Sequence, residues 1–265
     1  MRGALQFGAH AAFISATGLL VSLMRPDWYL LLPAMALDRI TIVTMFAPVD
    51  ECVHRPAFAT AAANDAVAWI AGALSFYNST IYYFLAWHHR YTQDPELINP
   101  MAANWRQYLK EMTGINFWLV RAIDYPRLAL GRANGLPFVP TSARRSIAPS
   151  VSIQLLIYTA GAASIALGSY RFLPAILAQP TVRALLIVKH TGCSRDHNGL
   201  TNTCTTLTAF PIRSLMWNMP YHAEHHLYPA VPFHRLPALH RRVGAELAHI
   251  APSYPAASRA VIWSL

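Results

Sequence analysis

Charge is scarce in this chain: only 12% of its 265 residues are Asp, Glu, Lys or Arg, against about a quarter in an average soluble domain. Spread over several long apolar runs, that deficit argues against a soluble enzyme and for a single membrane-embedded unit. Lysine is limited to Lys110 and Lys189, so the net charge of +9 is carried by arginine. The three cysteines, Cys52, Cys193 and Cys204, have no CxxC spacing. They supply neither a disulfide framework nor a zinc knuckle, and reduced thiols facing the cytosol are expected. There is no Gly-rich phosphate loop, no repeat and no low-complexity tract. No serine sits in a GxSxG elbow, the usual mark of a strained nucleophile. The zinc-peptidase HExxH is also missing, because in His222-Ala-Glu-His225-His226 the glutamate takes the third place. No convincing cleavage site follows the apolar N-terminus, so that segment is expected to be retained.

What the chain does have is apolar length. Leu5 to Met24 carries one histidine, His10, and no formal charge. Arg25-Pro26-Asp27 breaks it, and Trp28 to Pro48 resumes it with Asp38 and Arg39 inside. A bilayer core needs about twenty helical residues, so the two runs predict a transmembrane hairpin over about 5–48. The Asp38–Arg39 pair either neutralises itself or marks function. Ala66 to Trp87, interrupted at Asn78 and Ser79, predicts an interfacial or partly buried helix. From Pro95 to Arg145 aromatic and basic residues interleave, as in a helix lying at headgroup level. A second hairpin is predicted over about 146–188, turning at Arg171 and interrupted by Pro180 and Arg183.

Most Lys and Arg fall in segments 49–145 and 189–265, and each hairpin turn carries one. The positive-inside bias therefore puts both segments and both termini in the cytoplasm. Such charge suits anionic headgroups better than nucleic acid. The same bias collects Asp50, His54, His88, His89, His190, His222, His225 and His226 on one membrane face.

His222, His225 and His226 stand at i, i+3 and i+4, within roughly a 100° arc of a helix. Asp50 and His54, at i and i+4, share a face in the same way. Neutral imidazole binds Fe, Zn, Cu or Ni, so ligand type alone does not choose the metal. A mononuclear zinc site takes three or four ligands, and this set is about twice that size. Two metals fit the count better. A redox pair at a membrane surface points to O2 activation against a lipid C–H bond, whereas zinc points to hydrolysis.

These residues resemble the membrane fatty acid desaturases and their hydroxylase relatives, which carry three histidine boxes. Asp50-Glu-Cys-Val-His54-Arg-Pro-Ala-Phe58 is similar to the first box, and Leu85-Ala-Trp-His88-His89-Arg-Tyr-Thr-Gln-Asp-Pro-Glu96 to the second. Trp217-Asn-Met-Pro-Tyr-His222-Ala-Glu-His225-His226-Leu-Tyr-Pro229 is similar to the third. Lys189-His190-Thr-Gly192-Cys193 is similar to the segment that gives an additional histidine ligand. The resemblance runs from about residue 5 to His240. It implies one all-α domain over 1–265, with about four transmembrane helices in two hairpins under a cytoplasmic helical cap. It further implies two iron ions, O2 as co-substrate, a fatty acyl lipid substrate, and an electron donor of the ferredoxin or cytochrome b5 type. Hydroxylation or ketolation of a lipid or carotenoid on the same scaffold is the alternative chemistry.

Two positions depart from the pattern. Asp50 stands where the first box has histidine, and it either coordinates or orients His54. Leu85 stands where the second box has a further histidine and cannot bind metal. The outcomes open are a weakened site, a position filled by water, or a non-catalytic relative that keeps the fold. Asp94 and Glu224 are candidate acceptors behind ligand histidines, and Asn202 or Asn218 a candidate holder of metal-bound water. His234 and His240 are expected at the surface or interface, His197 and His249 in solvent, and His10 within the first span. Cys193 and Cys204 are expected to pack rather than ligate.

Overall fold

The computed structural model describes residues 1–92, 102–164, 175 and 178–265. The chain is mostly helical, and three of its described helices are long and apolar enough to cross a membrane: Arg2–Leu23, Trp28–Val53 and Thr141–Ala163. Helix α1 (Arg2–Leu23) and helix α2 (Trp28–Val43) form the first hairpin and pack along each other. Their outward faces leave Leu5, Leu19, Leu23 and Leu32 exposed, as lipid-facing helices require. Between them, Asp38 pairs with its neighbour Arg39, and the Thr17 hydroxyl donates to Asp38 Oδ1 at 3.1 Å. All three side chains are buried. The pair is thus neutralised within the span.

The second span outruns its expected end at Pro48. After a bend at Thr44 and Met45 it continues as α3 (Phe46–Val53). Pro48 is the third residue of α3, where the backbone N–H has no intrahelical partner to lose, so proline does not stop the helix. The span thus carries Asp50 one turn further, toward His54.

The expected interfacial helix over 66–87 is two helices. Helix α4 (Ala61–Leu74) starts where the Thr60 hydroxyl accepts the Ala63 N–H, and α5 (Thr80–Arg90) follows a sharp break. Phe76 turns the chain with φ 61°, and Asn78 Oδ1 accepts from both the backbone and the hydroxyl of Thr80. Helices α3, α4 and α5 share an apolar core of Val49, Ala71, Tyr77, Ile81 and Leu85.

Helices α6 (Trp105–Met112) and α7 (Ile115–Ala129) make the aromatic-basic segment, and α8 (Arg144–Ala163) is the first arm of the second hairpin, packed on α7. Most of the second arm, with its turn at Arg171, lies outside the described residues. Its end is α9 (Gln179–Ile187), beside α6. The remaining chain folds into α10 (Phe210–Leu215), α11 (His222–Leu227), α12 (Leu236–Val243) and α13 (Tyr254–Ser264). A two-stranded parallel pair, β1 (Thr205–Thr206) and β2 (Ile250–Ala251), ties this segment together.

One hydrogen-bond chain fixes the C-terminal segment to the first hairpin. Trp217 Nε1 donates to His10 Nδ1 at 3.2 Å, and His10 Nε2 donates to the Thr41 carbonyl at 2.9 Å. An indole can only donate, so His10 is the neutral tautomer protonated at Nε2. His10 does lie within the first span, as a buried strut.

Candidate metal centre

Four elements deliver the histidine face: α3 with Asp50 and His54, α5 with His88 and His89, the turn after α9 with His190, and α11 with His222, His225 and His226. Successive residues on a helix point about 100° apart. His88 and His89 therefore diverge, and so do His225 and His226. His222 and His226, at i and i+4, stay aligned. The consequence is two groups rather than one. His88, His190, His222 and His226 offer ligand atoms within 4.8 Å of one another, and so do Asp50, His54, His89 and His225. Helices α5 and α11 feed both groups.

In the first group the Nε2 atom of His222 lies 3.2 Å from that of His190 and 3.1 Å from that of His226. Two neutral rings that face each other through Nε2 share at most one proton, so three convergent nitrogens cannot satisfy one another. Nitrogens about 2.1 Å from a common ion stand about 3.0 to 3.4 Å apart, which is the spacing seen. Thr92 anchors the outer side: its hydroxyl donates to the His88 carbonyl at 2.8 Å and accepts from His226 Nδ1 at 3.0 Å. That bond leaves His226 Nε2 as the ligand atom.

The second group is tied by a carboxylate. Asp50 Oδ1 lies 3.4 Å from His89 Nε2, 3.5 Å from His225 Nε2 and 3.8 Å from His54 Nε2. All four atoms are buried and none has a hydrogen-bond partner. Unpaired buried polar atoms are costly, and four that converge are the mark of a cation cradle. Asp50 sits among the ligand atoms rather than behind His54.

Burial sets the protonation of these rings. His88, His222 and His226 are held well below the ordinary histidine range, first by burial and then by a neighbouring basic group: His190 beside His88, Lys189 beside His222 and His89 beside His226. His54 and His190 are lowered to about 3, again chiefly by burial. Neutral imidazole is the form that binds metal, so the fold presents its ligands ready.

The surrounding candidates behave differently. Glu224 is fully buried but faces away from the ligands, because it lies two residues from His222 on α11. Its carboxylate accepts the Thr205 hydroxyl at 2.5 Å and pairs with His240 Nδ1. The expectation that Glu224 backs a ligand histidine is therefore corrected; His240 is half-buried, between the surface and this carboxylate. Asn218 has a structural bond: its Nδ2 donates to the Phe233 carbonyl at 3.0 Å, which secures a left-handed turn. Trp217 and Asn218 both have positive φ, 50° and 57°, a strained conformation for non-glycine residues. They aim α11 at the centre. Asn202 is buried and meets His190 through its backbone, while its side chain bonds Thr203 and Asp196. Asp94 lies outside the described residues.

His197 is exposed, and His234 and His249 are half-buried. Leu85 is 2% exposed in the core of α3, α4 and α5. Cys193 and Cys204 belong to neither group, and burial pushes the Cys193 thiol up to about 12. Two contributors escape sequence reading. Thr92 had a signal, since it stands four residues after His88. Lys189 had none: a lysine buried beside a ligand is visible only in the fold, where burial lowers its ammonium to about 8.

The residues present fit two metal ions, by the convergence of buried ligand atoms within 4.8 Å in each group and by the donor set of seven imidazoles and one carboxylate. The family model described as fatty acid desaturase matches residues 26–257. No curated protein matches the chain.

Proposed function

The chain belongs to the fatty acid desaturase family, and from that membership we propose that it desaturates a fatty acyl chain using two iron ions and O2. The observation that carries the reading is the division of eight side chains into two adjoining groups of four. His88, His190, His222 and His226 would hold one iron, and Asp50, His54, His89 and His225 the other. When bound, the irons supply what side chains lack: activation of O2 to remove two hydrogens from an unreactive C–H pair, with two electrons from a separate donor.

The protein's own part is to hold, orient and exclude. Helices α3, α5 and α11 fix the ligands on regular elements, which is how a first shell stays within the tolerance catalysis needs. Thr92 fixes the orientation of His226. The Val49, Ile81, Leu85 and Phe117 core excludes water from the membrane side. A small apolar cavity lined by Val43, Phe46, Val182, Leu186 and Met216 has Lys189, the residue before His190, at its wall.

The same reading takes 1–265 as one domain with four spans, the fourth leading into α9. The histidine face and both termini are then cytoplasmic, where the donor is a ferredoxin or cytochrome b5-type protein. The test is iron analysis of purified protein followed by product mass spectrometry with acyl substrate, donor and O2. Two irons per chain and a product lighter by two hydrogens are expected. Gain of an oxygen would favour the hydroxylase or ketolase reading. Less than one iron per chain with no product would sink the oxidase reading altogether.

A further inference from the structure

On the far side of the shared core, two arginines converge with no acidic partner among the described residues. Arg121 of α7 has its guanidinium carbon 4.0 Å from the centroid of Phe117 and 4.9 Å from that of Tyr77. Arg183 of α9 has its own 4.9 Å from the same Phe117 ring. The approach is built in by Gly114, with φ 67°, at the start of α7: a Cβ there would lie 2.4 Å from Gln179 Cβ at the start of α9. Only glycine permits the two helix starts to abut so closely.

Two cations on one ring repel each other, and stacking offsets part of that. Among the described residues neither guanidinium forms an ion pair with a carboxylate. Arg121 Nε donates to the Phe76 carbonyl at 3.2 Å, and Arg183 Nη2 reaches Gln179 Oε1 at 3.4 Å. Arg183 is 8% exposed, and its Nε is buried with no hydrogen-bond partner. Asp124, a carboxylate whose charge reaches Arg121, is already paired with Arg127 at 3.9 Å. A buried donor fork with spare N–H groups is the usual receptor for a carboxylate or phosphate.

The setting says what carries that anion. Ile115, Leu119 and Ile123 recur every four residues on the opposite face of α7 and are exposed, as are Ile153, Leu156 and Ile157 of α8. Such faces belong in lipid rather than water. We propose that Arg121 and Arg183 form a binding site for the anionic headgroup, carboxylate or phosphate, of an acyl lipid. The site is separate from the histidine face and independent of metal.

The test uses the full chain in neutral detergent, with four probes: dioleoylphosphatidylglycerol, oleate, dioleoylglycerol and inorganic phosphate. Thermal stabilisation by one or both anionic lipids, and none by dioleoylglycerol, is expected. Which anion acts distinguishes a membrane lipid from a free acid. The double variant R121Q/R183Q should bind at least 10-fold more weakly, and R121K/R183K, which keeps the charge but loses the planar fork, should fall between it and the native chain. Equal stabilisation by the uncharged lipid, full action by phosphate alone, or native binding in the Gln variant would overturn the proposal. A photoactivatable phosphatidylglycerol or oleate, matching the anion that acts, provides a readout on the unaltered protein. Labelling of α7 or α9 is expected, and labelling confined elsewhere refutes the site.

Discussion

The rings of His89 and His226 lie stacked, with centroids 4.0 Å apart and planes 10° from parallel, although they belong to different ligand groups. Each ring is thus part of the wall of the other group. His89→Ala is expected to lower bound iron from two per chain to below one, rather than to one. Iron quantification against protein concentration checks it, and a clean loss of one ion would show the groups to be independent.

Asp50 is the one carboxylate among seven imidazoles. Asp50→Asn keeps its shape and removes the charge, so iron affinity of the second group should fall at least about 10-fold, the minimum seen when only supporting groups are lost. Asp50→His should keep two irons. Competitive chelation gives both values, and unchanged affinity in the Asn variant would remove Asp50 from the ligand set.

Leu85 is packed against Val49 and Phe117 rather than left as a gap in the centre. Leu85→His buries a polar ring without a partner, at about 1 to 3 kcal/mol, and should lower the melting temperature by several degrees. Iron per chain should not rise. If activity is regained only in that variant or in combination with Asp50→His, the natural chain is a degenerate member of its family.

Cys193 is expected to stay protonated. Its folded pKa is raised from 9.0 to about 12 by burial, so the fold favours the neutral thiol. This stability contribution is present below pH 9 and is lost as pH rises from there, because the unfolded chain then gains by ionising. Alkylation by iodoacetamide at pH 8 should be far slower in folded than in denatured protein. Cobalt-substituted protein should show no thiolate charge-transfer band.

The convergence of the candidate ligands was legible in the sequence because helical spacing fixes which side chains share a face. His222, His225 and His226 needed only the 3.6-residue period to be placed together. Their division between two groups also follows from that period, once α5 is seen to face α11. The direction of Glu224 was less legible: a carboxylate between ligand histidines reads as their neighbour, but one residue along a helix is a 100° turn away. The extension of the second span past Pro48 was hidden because proline breaks helices only beyond their first turn. Lys189 and the Arg121–Arg183 pair depend on packing between distant helices, which no local pattern encodes. Length and hydropathy gave the first hairpin well, since lipid demands continuous helix.

The bond between His10 and Trp217 joins residues 207 positions apart. Ribosomal synthesis proceeds from the N-terminus, so the strut in the first helix waits for its partner until most of the chain has been made. Contacts of such long range form late and set the pace of folding. The left-handed turn at Trp217 and Asn218 is locked by that partner, and α11 follows directly. The histidine face is therefore among the last parts of the protein to close, and nascent chains do not carry a finished trap for stray metal ions.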